Sequence, residues 1–100
     1  MRLSVGICAY NEVRNIANLL DSLLNQRLFP RQELLEVIVV CSGCTDGTDD
    51  IVREFNERDP RVKLVSQNTR EGKSKAQNII LREAKGDVIV FISADTYPTD

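Results

Sequence analysis

The 100-residue sequence has no histidine and only three cysteines, Cys8, Cys41 and Cys44. A structural zinc site needs four ligands of the cysteine or histidine type, so a complete one is not expected here. An odd number of cysteines without a secretion signal also argues against a disulfide scaffold and favours a reducing compartment. We therefore expect a cytoplasmic protein.

Long apolar runs and clustered positive charge are also missing. No run approaches the roughly 20 apolar residues of a membrane-spanning helix, and the N-terminal stretch MRLSVGICAYNE turns polar too soon for a signal peptide. Thirteen basic residues are scattered among 15 acidic ones. Because phosphate neutralisation requires clustered Lys and Arg, a nucleic-acid partner is disfavoured. Five glycines and three prolines beside 42% hydrophobic residues indicate a globular rather than a disordered or fibrous chain.

Four apolar, β-branched segments predict strands, over residues 3–8, 35–41, 62–66 and 87–93. The second and fourth are nearly continuous Val and Ile, a pattern typical of parallel strands buried on both faces. Apolar residues at helical spacing predict three intervening helices. The first carries its apolar positions between Val13 and Leu24 and has Asn11 as a candidate cap. The second runs from about Thr48 to Glu57, and the third over about 73–85 before Gly86, a candidate left-handed cap.

This order, β-α-β-α-β-α-β, predicts an α/β fold with a Rossmann-like, doubly wound, mainly parallel sheet. The sequence contains no internal repeat, low-complexity tract or linker. Because it stops soon after the fourth predicted strand, we expect residues 1–100 to be the N-terminal part of a larger domain.

Ligands of open parallel sheets bind beyond the carboxyl ends of the strands. In this sequence those ends are residues 8–12, 41–46, 66–73 and 93–96, and all four are polar. Two of them carry a candidate carboxylate, Glu12 and Asp95. A carboxylate at such a position can bind Mg²⁺ or Mn²⁺, which neutralises a diphosphate. Alternatively, Asp95 could cap a following helix.

The C-x-x-C formed by Cys41 and Cys44 has three interpretations. It follows a predicted strand and precedes a helix, as in thiol oxidoreductases, but three aspartates between residues 46 and 50 oppose thiolate formation. As a zinc site it could recruit Cys8 and would still lack a fourth ligand. Burial as small apolar residues is the commonest role of free cysteine, and it is our interpretation.

Two phosphate-binding signatures are incomplete. The Gly-Lys-Ser at residues 72–74 resembles part of a nucleotide-triphosphate loop, but the glycine required five positions earlier is Gln67. No G-x-G-x-x-G follows the first predicted strand, so a dinucleotide-dependent oxidoreductase loses its main support. Lys73 and Lys75 still place positive charge at a predicted helix N-terminus, where an anion can bind. The alternative is a solvated helix start.

Three segments together resemble glycosyltransferase family 2, whose members bind nucleotide sugars on a GT-A fold. They are VGICAYNEVRNIANLLDSL, VIVVCSGCTDGTDDIV and NTREGKSKAQNIILREAKGDVIVFISADTYP, and they span nearly the whole chain in the family's order. The resemblance implies an enzyme that takes a sugar from a nucleotide-diphosphate donor, with inversion and a divalent cation, Mg²⁺ or Mn²⁺.

The resemblance also assigns roles to loop residues. Ala9, Tyr10 and Glu12 match the family's first loop, which wraps the nucleoside. Arg70 and Lys73 match the loop and helix start beside the nucleotide, where their charge could assist the departing diphosphate.

The turn after the second predicted strand departs from the family pattern. Cys41 and Ser42 stand where relatives usually carry acids that hold the base or ribose, so the base is not identified. We expect Cys41 to face the donor edge and Cys44 to lie beneath it. Thr45 and Asp46 match a turn whose expected role is capping and loop bracing.

The fourth strand end matches the family's D-x-D motif. Ser93, Ala94 and Asp95 occupy its three positions, and the last acid of the motif binds the metal under the diphosphate. Ser93 replaces the first acid. Since a hydroxyl is a poorer ligand than a carboxylate, a weaker metal site is expected.

The resemblance places the acceptor site and the catalytic base beyond Asp100, so this chain alone is expected to be inactive. The acceptor would be a glycan or a lipid-linked molecule. Any membrane association, such as attachment to the cytoplasmic face, would come from parts outside this chain. The missing acids also keep open a non-catalytic, degenerate nucleotide-sugar-binding module, and less favoured is a thiol oxidoreductase built on the C-x-x-C.

Overall fold

A computed structural model describes residues 2–25, 33–68 and 73–93 of the protein. Strands and helices alternate along the chain as predicted. The elements are β1 (Arg2–Ala9), α1 (Ile16–Leu24), β2 (Glu33–Ser42), α2 (Thr48–Arg58), β3 (Val62–Gln67), α3 (Lys73–Glu83) and β4 (Val88–Ser93). None of the helices in the described ranges is both long and apolar enough to cross a bilayer.

The four strands form one sheet in the order β3-β2-β1-β4, and every neighbouring pair is parallel. The chain therefore builds the sheet outward from β1 through β2 to β3 and then returns to the other side of β1. This return makes the boundary between β1 and β4 a topological switch point. The predicted parallel sheet is confirmed.

Helices cover both faces of the sheet, as a doubly wound fold requires. On one face, α1 and α2 pack against alternate residues of β1 and β2, and Leu19, Leu20 and Val52 are fully buried. On the other face, Ala76 and Ile80 of α3 pack against Ile38 and Val40. The continuous Val and Ile of β2 thus reflect burial on both sides.

Two predicted helix signals differ from the structure. The first helix begins at Ile16, so Val13 lies in the turn before it, and Asn11 does not cap it. The third ends at Glu83, and Gly86 does not have a left-handed φ. Gly86 is required for space instead, because a Cβ there would lie 2.6 Å from the Ser4 hydroxyl oxygen and 2.8 Å from the Ser4 nitrogen.

A buried carboxylate joins the amino ends of the strands to the chain after α3. The side chain of Glu36 is 1% exposed. It accepts hydrogen bonds from the Ser4 hydroxyl at 2.7 Å, the Lys63 ammonium at 2.7 Å and the Lys85 amide at 2.6 Å. An irregularity in the β1–β2 register, where Leu35 is skipped, brings Glu36 opposite Ser4. This cluster lies at the sheet edge opposite the strand carboxyl ends.

Candidate functional site at the carboxyl edge of the sheet

The carboxyl ends of all four strands meet at one edge of the sheet. Ala9 of β1 pairs with Cys41 of β2, and Cys41 pairs with Ser66 of β3. On the other side of β1, Cys8 pairs with Ser93 at the end of β4. Because these pairs lie within one residue of the same level, the four strands end at a common edge, and the switch point between β1 and β4 lies at that edge.

Hydrogen bonds join the β1–α1 loop (residues 10–15) to the β2–α2 turn (residues 43–47). Asn11 adopts a left-handed φ of 52°, and its Oδ1 accepts the Thr45 amide at 2.7 Å. The Glu12 amide donates to the Thr48 hydroxyl at 3.0 Å. Asparagine is among the few non-glycine residues that adopt this conformation readily. Asn11 therefore braces one loop against the other, a role that a helix-cap interpretation missed.

Asp46 is the acceptor at the centre of this bracing. One carboxylate oxygen accepts the Val13 amide at 3.1 Å, and the other accepts the amide and hydroxyl of Thr48. Burial raises the pKa of Asp46, but the hydrogen bonds from Thr48 and Val13 outweigh it and lower the pKa below its usual value. The expected bracing role of Asp46 agrees with these contacts. Asp46 is not the N-cap of α2, because Gly47, with a φ of 98°, holds that position.

Replacing Asp46 by alanine is expected to lower the free energy of unfolding by about 1–2 kcal/mol, because three donors lose their charged acceptor. Urea unfolding of the variant measures the change. Asp50→Ala is the matched control, because Asp50 is exposed and pairs only on the surface with Arg53, so its loss should cost less than about 0.5 kcal/mol. Equal effects of the two substitutions would contradict the bracing role.

The two cysteines of the C-x-x-C lie in different surroundings. The Cys41 side chain is 0% exposed and belongs to the core beneath α1 and α2. Cys44 is half-buried, donates to the Ala9 carbonyl at 3.6 Å and accepts the Asn11 amide at 3.3 Å. The expectation that Cys41 faces the donor edge with Cys44 beneath it is therefore wrong. The reason is strand alternation, which points Cys41 to the same face as Val37 and Val39.

Both thiols are poorly suited to nucleophilic chemistry. Burial raises the pKa of Cys41, and the negative charge of Asp49 raises it further. Burial likewise raises the pKa of Cys44, with a smaller contribution from Asp49. Because the thiolate is the reactive form, raised pKa values disfavour a thiol oxidoreductase.

Residues 4–100 match the family model of "Glycosyl transferase family 2". The chain belongs to this family. It is similar to the curated "Probable glycosyltransferase YdaM" of Bacillus subtilis (strain 168), with 39% identity over 100 residues, covering 97% of this chain and 23% of that protein. It is also 36% identical over 98 residues to the poly(ribitol-phosphate) beta-N-acetylglucosaminyltransferase TarS of Staphylococcus aureus (strain Mu50 / ATCC 700699), covering 97% of this chain and 17% of TarS.

Solved structures of family members share the fold. The mannosyltransferase PcManGT from Pyrobaculum calidifontis, in complex with GDP-Man and Mn²⁺, superposes with a TM-score of 0.80 at 40% identity, covering 98% of this chain and 29% of that chain. S. aureus TarS 1-349 in complex with UDP-GlcNAc gives a TM-score of 0.79 at 35% identity, covering 95% and 27%. The predicted architecture, the N-terminal part of a GT-A fold, is confirmed. The chain spans only about a quarter of these relatives.

The residues that the family pattern assigns to the first loop lie at the carboxyl edge. Ala9 ends β1 and is buried, whereas the Tyr10 side chain, directly after it, is 41% exposed. Glu12 is half-buried, and its carboxylate accepts the Asn15 side-chain amide at 3.3 Å. Ser42 is buried at the end of β2 and donates its hydroxyl hydrogen to the Gln67 side chain at 2.7 Å. The donor-binding roles of these residues remain predictions.

The other assigned residues are only partly placed. Lys73 begins α3, and Ser93 ends β4. Arg70, Ala94 and Asp95 lie outside the described residues. Ser93 pairs with Cys8, so the end of β4 lies at the common edge.

Proposed function

We propose that this chain supplies the donor-binding part of an inverting glycosyltransferase, which moves a hexosyl group from a nucleotide-diphosphate sugar to an acceptor hydroxyl. The observation that carries the proposal is the convergence of four parallel strand ends at one edge, in a chain that belongs to glycosyl transferase family 2. Relatives with the same fold were solved with GDP-Man and with UDP-GlcNAc. A nucleotide sugar is therefore the proposed small-molecule partner.

Residues at this edge would hold the nucleoside. The side chain of Tyr10 is 41% exposed at this edge and would contact the nucleoside, and its position is set by the loop that Asn11 and Asp46 brace. The buried Cys41 and the paired hydroxyl of Ser42 leave fewer polar groups for the base than acids would. We propose that backbone groups of β2 and its turn, rather than the Cys41 side chain, contact the donor.

A divalent cation is the proposed cofactor, and the sequence offers oxygen ligands for it at the end of β4. The Asp95 carboxylate and the Ser93 hydroxyl offer hard oxygen ligands, which suit Mg²⁺ or Mn²⁺. When bound, such an ion would neutralise charge on the diphosphate. Mn²⁺ in the PcManGT complex supports the choice of a divalent ion.

In the proposed reaction, the acceptor hydroxyl displaces the nucleotide diphosphate at the anomeric carbon. A base from beyond Asp100 takes the hydroxyl proton, and the bond between the sugar and the diphosphate breaks. Arg70 and Lys73 would add positive charge beside the leaving group. A glycan or lipid-linked acceptor and a cytoplasmic location complete the proposal.

A donor-binding module without transfer is the second candidate. It is favoured by Cys41, whose side chain is fully buried, and by Ser42, whose hydroxyl is engaged by Gln67. Neither side chain replaces the acids of the family pattern as a ligand for the base. Such a module would bind nucleotide without requiring a cation.

Asp95→Ala is expected to abolish the gain in nucleotide affinity that Mn²⁺ provides, a loss of at least about tenfold. Calorimetric titration of the full-length protein with UDP and GDP, with and without Mn²⁺, measures this gain. Glu54→Ala is the control, because Glu54 is exposed in the middle of α2 and should leave binding unchanged.

The outcomes separate the candidates. Mn²⁺-dependent binding that is lost in Asp95→Ala supports the transferase. Nucleotide binding that changes neither with Mn²⁺ nor with the Asp95→Ala substitution supports the donor-binding module. No binding of either nucleotide to the wild-type protein would overturn the transferase proposal in this form.

A further inference from the structure

Two cysteines and a carboxylate meet where β2 ends and α2 begins. The Sγ atoms of Cys41 and Cys44 and a carboxylate oxygen of Asp49 all lie within 4.8 Å of one another. Cys41 is the penultimate residue of β2, and Asp49 is in the first turn of α2. Cys8 is not part of the group, because it packs on the opposite face of the sheet against the core under α3.

The Asp49 carboxylate lies between the Ser66 hydroxyl, which donates a hydrogen bond to it, and the Cys41 thiol, which is a weaker donor. Its Oδ2 atom accepts the Ser66 hydroxyl. Its Oδ1 atom is buried and accepts no N–H or O–H hydrogen bond from the described residues. A buried carboxylate oxygen without a strong donor is costly, since it has lost its water without replacement. The Oδ1 atom therefore marks a place where a cation would be stabilised.

We propose that Cys41, Cys44 and Asp49 bind a thiophilic divalent cation such as Zn²⁺, as two thiolates and one carboxylate. Around a tetrahedral Zn²⁺ with Zn–S near 2.3 Å and Zn–O near 2.0 Å, two sulfurs are about 3.8 Å apart and a sulfur and an oxygen about 3.5 Å apart. The distances in the cluster, all within 4.8 Å, would therefore shorten by at most about 1.3 Å. The fourth position would be taken by water. The two thiol protons leave to solvent on binding, so the affinity should rise with pH.

This site is distinct from the cation proposed at Asp95 and does not depend on the proposed transfer reaction. Thiolates select soft or borderline metals such as Zn²⁺, whereas an all-oxygen set suits Mg²⁺ and Mn²⁺. The C-x-x-C spacing by itself indicated only two ligands. Folding supplies the third from α2, five residues after Cys44.

Metal binding here would stiffen the edge of the sheet. Cys44 contacts the Ala9 carbonyl and the Asn11 amide, and Asp49 contacts Ser66 of β3. An ion at the cluster would therefore connect the ends of β1, β2 and β3. We expect bound Zn²⁺ to raise the melting temperature of the protein.

Co²⁺ titration of the reduced full-length protein tests the proposal. The expected result is one equivalent of Co²⁺ with a thiolate-to-metal charge-transfer band and the d–d bands of a tetrahedral site, displaced by Zn²⁺ and not by excess Mn²⁺. Cys44→Ser should remove the bands, because it removes a thiolate from a half-buried position that tolerates serine. Asp49→Asn should weaken Co²⁺ binding by at least about tenfold, and Cys8→Ser should change nothing.

Each remaining outcome counts against the site. A wild-type spectrum without a charge-transfer band would overturn the proposal, as would bands that persist in Cys44→Ser or that disappear when Mn²⁺ is added. Circular dichroism of Cys44→Ser and Asp49→Asn guards against misfolding. If one variant is unfolded, the other decides, because both residues are needed.

Discussion

Glu36→Gln is expected to lower the free energy of unfolding by about 2–4 kcal/mol at neutral pH, because it removes a buried charge that three donors stabilise. The amide retains one acceptor oxygen for the Ser4 hydroxyl and the Lys85 amide, but its NH₂ group faces the Lys63 ammonium. Lys63 is 44% exposed and can turn to solvent, which keeps the cost below that of stranding a buried cation. Urea unfolding measures the difference.

The stability difference between the wild type and Glu36→Gln should depend on pH. Burial raises the pKa of Glu36, but hydrogen bonds from Lys63, Ser4 and the Lys85 amide, with the charge of Lys63, lower it below its usual value. A depressed pKa in the folded state stabilises the protein above the unfolded pKa, about 4.3, and that stabilisation is lost as pH falls through the folded pKa. The gap between wild type and Glu36→Gln should therefore be widest near neutral pH and narrow in acid.

Glu33→Gln is the matched control for this experiment. Glu33 begins the same strand and is exposed, so its substitution should change the free energy of unfolding by less than about 0.5 kcal/mol. A Glu36→Gln effect that equals the control, or that stays constant down to acid pH, would show that the buried carboxylate does not hold the strands to the chain after α3.

Gly6→Ala is expected to lower the free energy of unfolding by about 2–3 kcal/mol, because α3 packs directly on the backbone of β1. A Cβ at Gly6 would lie 2.7 Å from the Cδ1 atom of Ile80 and closer still to its Cγ2 atom. Ile80 is 0% exposed, and its β-branched side chain has few alternative rotamers in a helix. The clash therefore cannot be relieved by a simple side-chain rotation.

A double-mutant cycle with Ile80→Ala tests this explanation. Ile80→Ala alone should cost about 2–5 kcal/mol through the cavity that it leaves. If the Cβ added at position 6 and the Ile80 side chain compete for the same space, the double variant should be at least about 1 kcal/mol more stable than the sum of the two single effects predicts. Gly47→Ala is the control, because a Cβ there meets nothing within 4 Å, and its cost should add to that of Ile80→Ala. Additivity at Gly6 as well would contradict direct packing.

Most of the fold was predictable because local patterns and global packing agree. The Val and Ile of residues 37–40 predicted a strand buried on both faces, and the inner stripe of α2, around Val52, predicted a helix that packs on it. Strand and helix boundaries were less accurate. Val13 continues the apolar pattern of α1, yet it lies in a turn, because its amide bonds to Asp46 instead of to a preceding helical carbonyl.

The sequence predicted where the candidate site lies better than it predicted how individual side chains are oriented there. Parallel strands following one another indicated that the loops after Ala9, Cys41 and Gln67 would meet. The assignment of Asn11 as a cap and of Cys41 as a group facing the donor was wrong, because both depend on partners from distant segments. Asn11 bonds to Thr45, 34 residues away, and Cys41 follows the alternation of a strand that continues to Ser42.

The sequence by itself determined the alternation of strands and helices, the parallel sheet and the family, since these depend on local periodicity and on motifs that are contiguous in the chain. Only the tertiary structure decided that Glu36 would be a buried, triply bonded carboxylate and that Asp49 would join the two cysteines. The partners of Glu36 are 27 to 49 positions away in the chain, and Ser66, which orients the Asp49 carboxylate beside the cysteines, is 17 positions away. No local pattern specifies such a contact, because the pairing arises only when separate elements pack around the sheet.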